Sequence, residues 1–174
     1  GLGDVYKRQG VIYPPSLCSS TTIHPGDDDK TSFHIGAYID GVLVGAYSAL
    51  NGVFGNRFEA PSHWVTGSVA GGEFNKGTDP GDYSSINPVQ RYDYPTTQGD
   101  LNNLWRGRYE GVARANKVLS LLAASEGLQP ATKTRFEAEA KMLRAHFYFD
   151  LKKHFNNIPV FDETVAAADL ATLK

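Results

Sequence analysis

The sequence predicts a mainly α-helical protein built on helical hairpins, and three observations carry that prediction. Two long stretches, 101–127 and 129–155, place apolar residues at helical spacing on one face. Only a few residues separate them, which favours an antiparallel hairpin. A third, shorter stretch, YIDGVLVGAYSALNG at 38–52, has the same period. At 174 residues the chain suits one globular domain with a proper core.

Residues 1–10, GLGDVYKRQG, have neither a helical nor a strand period and are set aside as a non-native lead. Residues 11–35 combine Pro14-Pro15, a Ser/Thr cluster and GDDDK, which reads as an extended, solvated segment. Asp27 to Asp29 lack the alternating spacing and distal Glu of a calcium loop and are expected to form an acidic turn. In the 38–52 helix, Tyr38, Val42, Ala46 and Ala49 form one stripe, with Ile39, Leu43, Tyr47 and Leu50 beside it. Gly41 and Gly45 each weaken an isolated helix by about 1 kcal/mol relative to Ala, so they are expected to permit close packing. Asn51-Gly52 supplies the stop.

Residues 51–100 have no sustained helical period, and Gly and Pro punctuate them throughout. They carry Phe54, Phe58, Trp64, Phe74, Tyr83, Tyr92 and Tyr94. Such long loops in compact domains are commonly functional. The simpler expectation is that the aromatics anchor the loop to the helical body.

The first long helix aligns Trp105, Tyr109, Val112, Asn116 and Leu119, with Asp100 as N-cap and Gly127 as stop. The second begins just after Pro130 and has the spine Phe136, Ala140, Leu143, Phe147, Leu151 and Phe155. Tyr109, Phe136, Phe147 and Phe149 are expected to pack between the two. Burying one such ring fully is worth roughly 1.5–3 kcal/mol. Asn156-Asn157 before Ile158-Pro159 ends the helix.

A net charge of -2 with 21% charged residues gives no electrostatic footprint for nucleic acid or a membrane surface. The single Cys18 excludes an internal disulfide and a multi-cysteine zinc cluster. Leu17 before it, with no preceding apolar stretch, makes Cys18 a poor lipid acceptor. No apolar run approaches the roughly 20 residues that span a bilayer. His146, Asp150 and His154 recur every four residues, like metal ligands on one helix face. The outer pair is separated by about 12 Å of axial rise, too far for donors that must each lie within about 2.0–2.2 Å of one zinc ion. They read instead as the polar border of a packing helix, and no metal or cofactor is assigned. There is no H-E-x-x-H, no phosphate loop and no nucleophile motif, so the chain is not expected to be an enzyme.

Two stretches are specific enough to compare with a family. LWRGRYEGVARANKVL (104–119) and AEAKMLRAHFYFDLKKHFNNIPVF (138–161) resemble the paired helix motifs of the SusD/RagB family of outer-membrane nutrient-binding lipoproteins. Trp105, Tyr109, Arg114, Asn116, Glu139, Arg144, Phe147, Tyr148 and Pro159 stand at the signature positions. GAYSALNG and the later FNKGTDPGD resemble the family's N-terminal helix and following loop. The departures are Asn156-Asn157 where Gly is usual, His146 where an aromatic is common, and Lys141-Met142 for Arg-Phe. A left-handed turn at the asparagines remains compatible with the motif.

The resemblance implies a SusD-like α/α superhelix of tetratricopeptide-like hairpins, with a long Gly/Pro/aromatic-rich loop region. Residues 36–174 would be the N-terminal part of a longer domain. It also implies a surface-exposed, lipid-anchored protein of the Bacteroidetes outer membrane. This protein would capture oligosaccharide for a SusC-like TonB-dependent transporter. Flat rings stack on the apolar faces of pyranoses, and nearby amides or carboxylates bond the hydroxyls. Residue type and loop position select Trp64, Asn75, Asp82, Tyr83 and Tyr92 as candidates for that role. The alternatives are a tetratricopeptide scaffold without a glycan site, which should show a regular 34-residue repeat, and an enzyme using His63 beside Trp64.

Overall fold

The computed structural model describes residues 28–165 and 169, apart from 56, 60, 61 and 78. The lead-in, Asp27 and Cys18 lie outside the described residues. Among the described residues there are four α-helices: α1 (Asp28–Ser48), the short α2 (Asn87–Gln90), α3 (Gly99–Ala124) and α4 (Pro130–His154). No strand occurs among the described residues.

Helix α1 starts well before the predicted boundary, so residues 28–35 are helical rather than extended. No Gly or Pro lies between Gly26 and Gly36, and nothing local stops the helix from propagating toward its N-terminus. It buries Ile39, Leu43 and Ala46, while Tyr38 is left 40% exposed. A single 3₁₀ turn, Ala49–Asn51, ends at Gly52, whose φ of 90° only glycine adopts readily. The expectation of close packing at Gly41 and Gly45 fails, because a Cβ at either would meet open space.

Helix α3 is capped by Gln98, whose side-chain oxygen accepts from Leu101 N at 2.9 Å, rather than by Asp100. Asp100 instead sits in the first turn, where the helix dipole favours an acid. Helix α4 opens on Pro130, whose missing N–H costs nothing in the first turn. It closes with Lys152, Lys153 and His154 against the negative dipole end. Phe155 is extended, and neither Asn156 nor Asn157 adopts the left-handed conformation that the motif would have allowed.

Contacts between α3 and α4 run in opposite senses, pairing Arg108 with Asp150, Gly111 with Phe147 and Asn116 with Arg144. This is the predicted antiparallel hairpin. Helix α1 packs on both members, and the three bury Val112, Ala115, Val118, Phe136, Ala140, Leu143 and Phe147 between them. A Cβ at Gly111 would lie 2.5 Å from the Phe147 ring, so this glycine is what lets the hairpin close. Phe149 was expected in this seam but faces solvent at 66% exposure.

The signature residues hold the helices together and strap down the segment after α4. Arg114 donates to the Gly45 carbonyl at 2.9 Å and pairs with Glu110, tying α1 to α3. Glu139 accepts from Tyr47 at 3.0 Å. Arg144 donates to Asn116 at 2.8 Å and reaches Glu163. Tyr109 donates to the Pro159 carbonyl at 2.8 Å, and Tyr148 donates to the Phe161 carbonyl at 2.6 Å. Burial pushes the Tyr109 hydroxyl up to about 12, so it stays a donor across the physiological range.

The loop region folds into a second, smaller core. Phe58, Val65, Val69, Ile86 and Val89 bury themselves against Leu104, with Trp64, Leu101 and Phe155 packed around them. A π-helical turn, Trp64–Val69, supplies two of these residues, and α2 supplies Val89. Buried Glu59 fixes the loop's start by accepting from Val53 N at 2.6 Å and Phe54 N at 3.0 Å.

Candidate functional site: an aromatic groove beside a buried ion cluster

A groove of about 640 Å³ opens where the folded loop meets the start of α3 and the end of α4. Each element contributes for a local reason. The π-helical turn presents Thr66 and leads into Ala70. The turn after α2 presents Tyr92, Tyr94 and Thr96. The first two turns of α3 present Asn102 and Trp105, and the end of α4 presents Lys153, His154 and Phe155. Trp105 is held in place by rings on two sides, Tyr109 at 4.8 Å and an edge-on Phe155 at 4.9 Å between centroids. The lining therefore joins aromatic and aliphatic side chains to hydroxyl, amide and basic groups.

Backbone strain gathers in the loop that shapes this groove. His63, Tyr83 and Tyr92 have φ of 49°, 44° and 55°, in the left-handed region that side chains with a Cβ seldom occupy. Tyr92 keeps its conformation because its hydroxyl donates to the Ala70 carbonyl across the groove's end. Its ring stays 71% exposed and available to a ligand.

Beneath the α4 side of the groove lies a cluster whose centre is Asp150, only 1% exposed. Arg108 Nε donates to its Oδ2 at 2.5 Å, and Lys153 Nζ lies 3.0 Å from Oδ1. His63 Nε2 is 3.5 Å from that same oxygen, and the His63 and His154 rings stack at 5.7 Å. His154 Nδ1 donates to the Asp150 carbonyl at 2.8 Å. Burial would raise the Asp150 carboxyl, but Lys153 and Arg108 outweigh it and hold the group below the usual carboxylate range. Burial lowers His63 below the ordinary histidine value, more than the attraction of Asp150 raises it.

His63, Asp150 and His154 offer donors within 4.8 Å of one another. The loop histidine has thus taken the place that the sequence suggested for His146, which is exposed on the outer face of α4. Asp150 is not the polar border residue expected from sequence but the most enclosed carboxylate of its helix. Its charge is already answered by two cations. Two unit charges 4 Å apart interact by about 4 kcal/mol at an effective dielectric of 20. A divalent ion on Oδ1 would have to displace Lys153 and would still face Arg108 on the other carboxylate oxygen. The arrangement is that of a carboxylate clamped by basic groups, joining loop, α3 and α4.

Of the five residues selected from sequence, the groove gathers one, Tyr92. Trp64 is half-buried on the second core, just beside the lining. Asn75, Asp82 and Tyr83 are exposed on the loop's outer part, where Asn75 accepts from Gly77 N at 2.9 Å. Sequence reasoning assigned Trp105 to structure alone and passed over Tyr94, Asn102 and Lys153. The signal for Trp105 was its place in the first turns of a helix adjoining an aromatic loop.

The helices and the folded loop thus frame an open groove lined by aromatic and polar side chains. A family described as SusD-like, starch-binding associating with outer membrane, matches residues 27–172. The chain belongs to this SusD/RagB family, whose members are binding proteins, named for starch and for the outer membrane. No curated protein and no solved structure matches the chain.

Proposed function

We propose that this protein captures oligosaccharide at the cell surface, in the groove lined by Tyr92, Tyr94 and Trp105, for import through a SusC-like TonB-dependent transporter. The observation that carries the reading is the juxtaposition of three aromatic rings with Asn102, Thr66 and Thr96 in one open groove. Rings supply stacking surface for pyranose faces, while the amide and hydroxyls match sugar hydroxyls. A groove of about 640 Å³ is of the size that holds a small ligand. Family membership supports glycan as the ligand class, and association with the outer membrane supports the surface location. A lipid anchor and the transporter partnership follow from the same family logic.

The test uses the chain's two tryptophans, one lining the groove and one beside it. Titration with α-glucan oligosaccharides and a panel of other glycans should change tryptophan emission saturably for at least one class. The Tyr92→Ala and Tyr94→Ala variants should weaken that binding, Tyr94→Ala at the wild-type melting temperature and Tyr92→Ala with the added loss of the bond to the Ala70 carbonyl. Equal affinity in wild type and both variants would remove the groove as the site.

A further inference from the structure

The groove has a charge asymmetry that a neutral sugar does not require. Its lining includes Lys153 and His154 but no Asp or Glu. The nearest carboxylate on α4, Asp150, is buried below and clamped by Arg108. Arg108 Nε holds Asp150 Oδ2 at 2.5 Å, so this carboxylate keeps a cationic partner whether or not Lys153 stays on Oδ1. Lys153 is 46% exposed, and its ammonium can turn from Asp150 toward a ligand without unburying anything.

Resting on the glycan reading, we propose that the groove selects acidic oligosaccharides, with the anionic substituent of one sugar set on Lys153 beside the His154 ring. The shared chemistry is a negatively charged group on a pyranose, a carboxylate or a sulfate. Stacking on Tyr92 and Tyr94 supplies binding that is blind to charge, and Lys153 supplies the discrimination. Charge-assisted hydrogen bonds are roughly twice as strong as neutral ones, so one basic group at the rim suffices.

The experiment compares three oligosaccharides of equal length by calorimetry on the full chain: an oligogalacturonate, its carboxyl-reduced neutral counterpart, and a sulfated galacto-oligosaccharide. The wild type should bind at least one acidic ligand about tenfold or more tightly than the neutral one, the scale of one charge-assisted hydrogen bond. Whichever acidic ligand binds identifies the source of the charge. The preference should shrink as salt rises. Lys153→Met should bring acidic affinity down to that of the neutral ligand, and Lys153→Glu should reverse the order. Lys153→Met leaves Arg108 on Asp150 and should stay folded, whereas Lys153→Glu sets a carboxylate against Asp150, so melting curves are recorded for both. Equal binding of acidic and neutral ligands in the wild type overturns acidic selection and leaves the glycan reading standing. An acidic preference that survives in Lys153→Met overturns the assignment to Lys153. Binding of none of the three, nor of any glycan in the wider panel, overturns both readings together.

Discussion

Gly111→Ala should destabilise the protein although alanine is the better helix former. Its Cβ would stand 2.5 Å, 2.6 Å and 2.7 Å from three atoms of the Phe147 ring, far inside van der Waals contact. Phe147 is fully buried between α1, α3 and α4, so the ring has no free space into which to withdraw. Helix propensity alone would favour the substitution by about 1 kcal/mol. Overpacking a filled core costs about 1–3 kcal/mol, and an overlap this deep belongs to the upper half of that range. The net loss is then about 1–2 kcal/mol, or a melting midpoint lower by roughly 2–8 °C for a chain of this size. Urea or thermal denaturation followed by circular dichroism measures it. Phe147→Leu in the same background should recover at least about 1 kcal/mol relative to the sum of the two single effects, because the residues touch. A Gly111→Ala variant that melts at or above the wild-type temperature would show that the hairpin is not closed against this glycine.

Other perturbations probe the same frame. Phe147→Ala should cost about 3–5 kcal/mol through the cavity it leaves, read from the denaturant midpoint. Arg108→Met should cost about 3 kcal/mol, the low end for breaking a buried pair, because Lys153 still answers Asp150. A loss below about 1 kcal/mol would place the clamp outside the fold's supports. The His63 value is lowered in the folded state, so the unfolded chain takes up the proton more readily. That contribution to stability is full above the ordinary histidine value and declines as pH falls below it. His63→Gln should accordingly flatten the loss of stability between about pH 7 and pH 5. An unchanged pH profile would contradict burial of neutral His63.

The hairpin was legible from sequence because its signal is periodic. Phe136, Ala140, Leu143, Phe147 and Leu151 recur at helical spacing, and each is buried. The start of α1 was missed because Asp28 to Ile35 has polar composition without a breaker. Composition suggested solvation where the backbone simply continues a helix. Phe149 is as hydrophobic as its neighbours, but its position on the helix decides its place. It lies two residues beyond Phe147, about 200° around the helix, and so faces outward. The loop was harder still. Its order comes from Phe58, Val65, Ile86 and Val89 meeting Leu104, contacts distant in sequence and without a period. For the same reason the site was only partly visible. Aromatic composition pointed to the segment that lines part of the groove and to Tyr92 within it. Which rings face one groove depends on left-handed turns at His63 and Tyr92 that no local pattern announces. Asp150 illustrates the point most sharply. Helical spacing grouped it with His146, and the fold pairs it instead with Arg108 and His63.

The central claim is that sugar sits between the folded loop and the ends of α3 and α4. Photo-crosslinking with an oligosaccharide bearing a diazirine, followed by peptide mapping of the labelled chain, locates the ligand directly. Labels should fall on the segments holding Thr66 to Ala70, Tyr92 to Trp105 and Lys153 to Phe155, and excess unlabelled glycan should abolish them. Competable labels confined to the outer loop around Asn75 to Tyr83 would contradict the groove as the binding site.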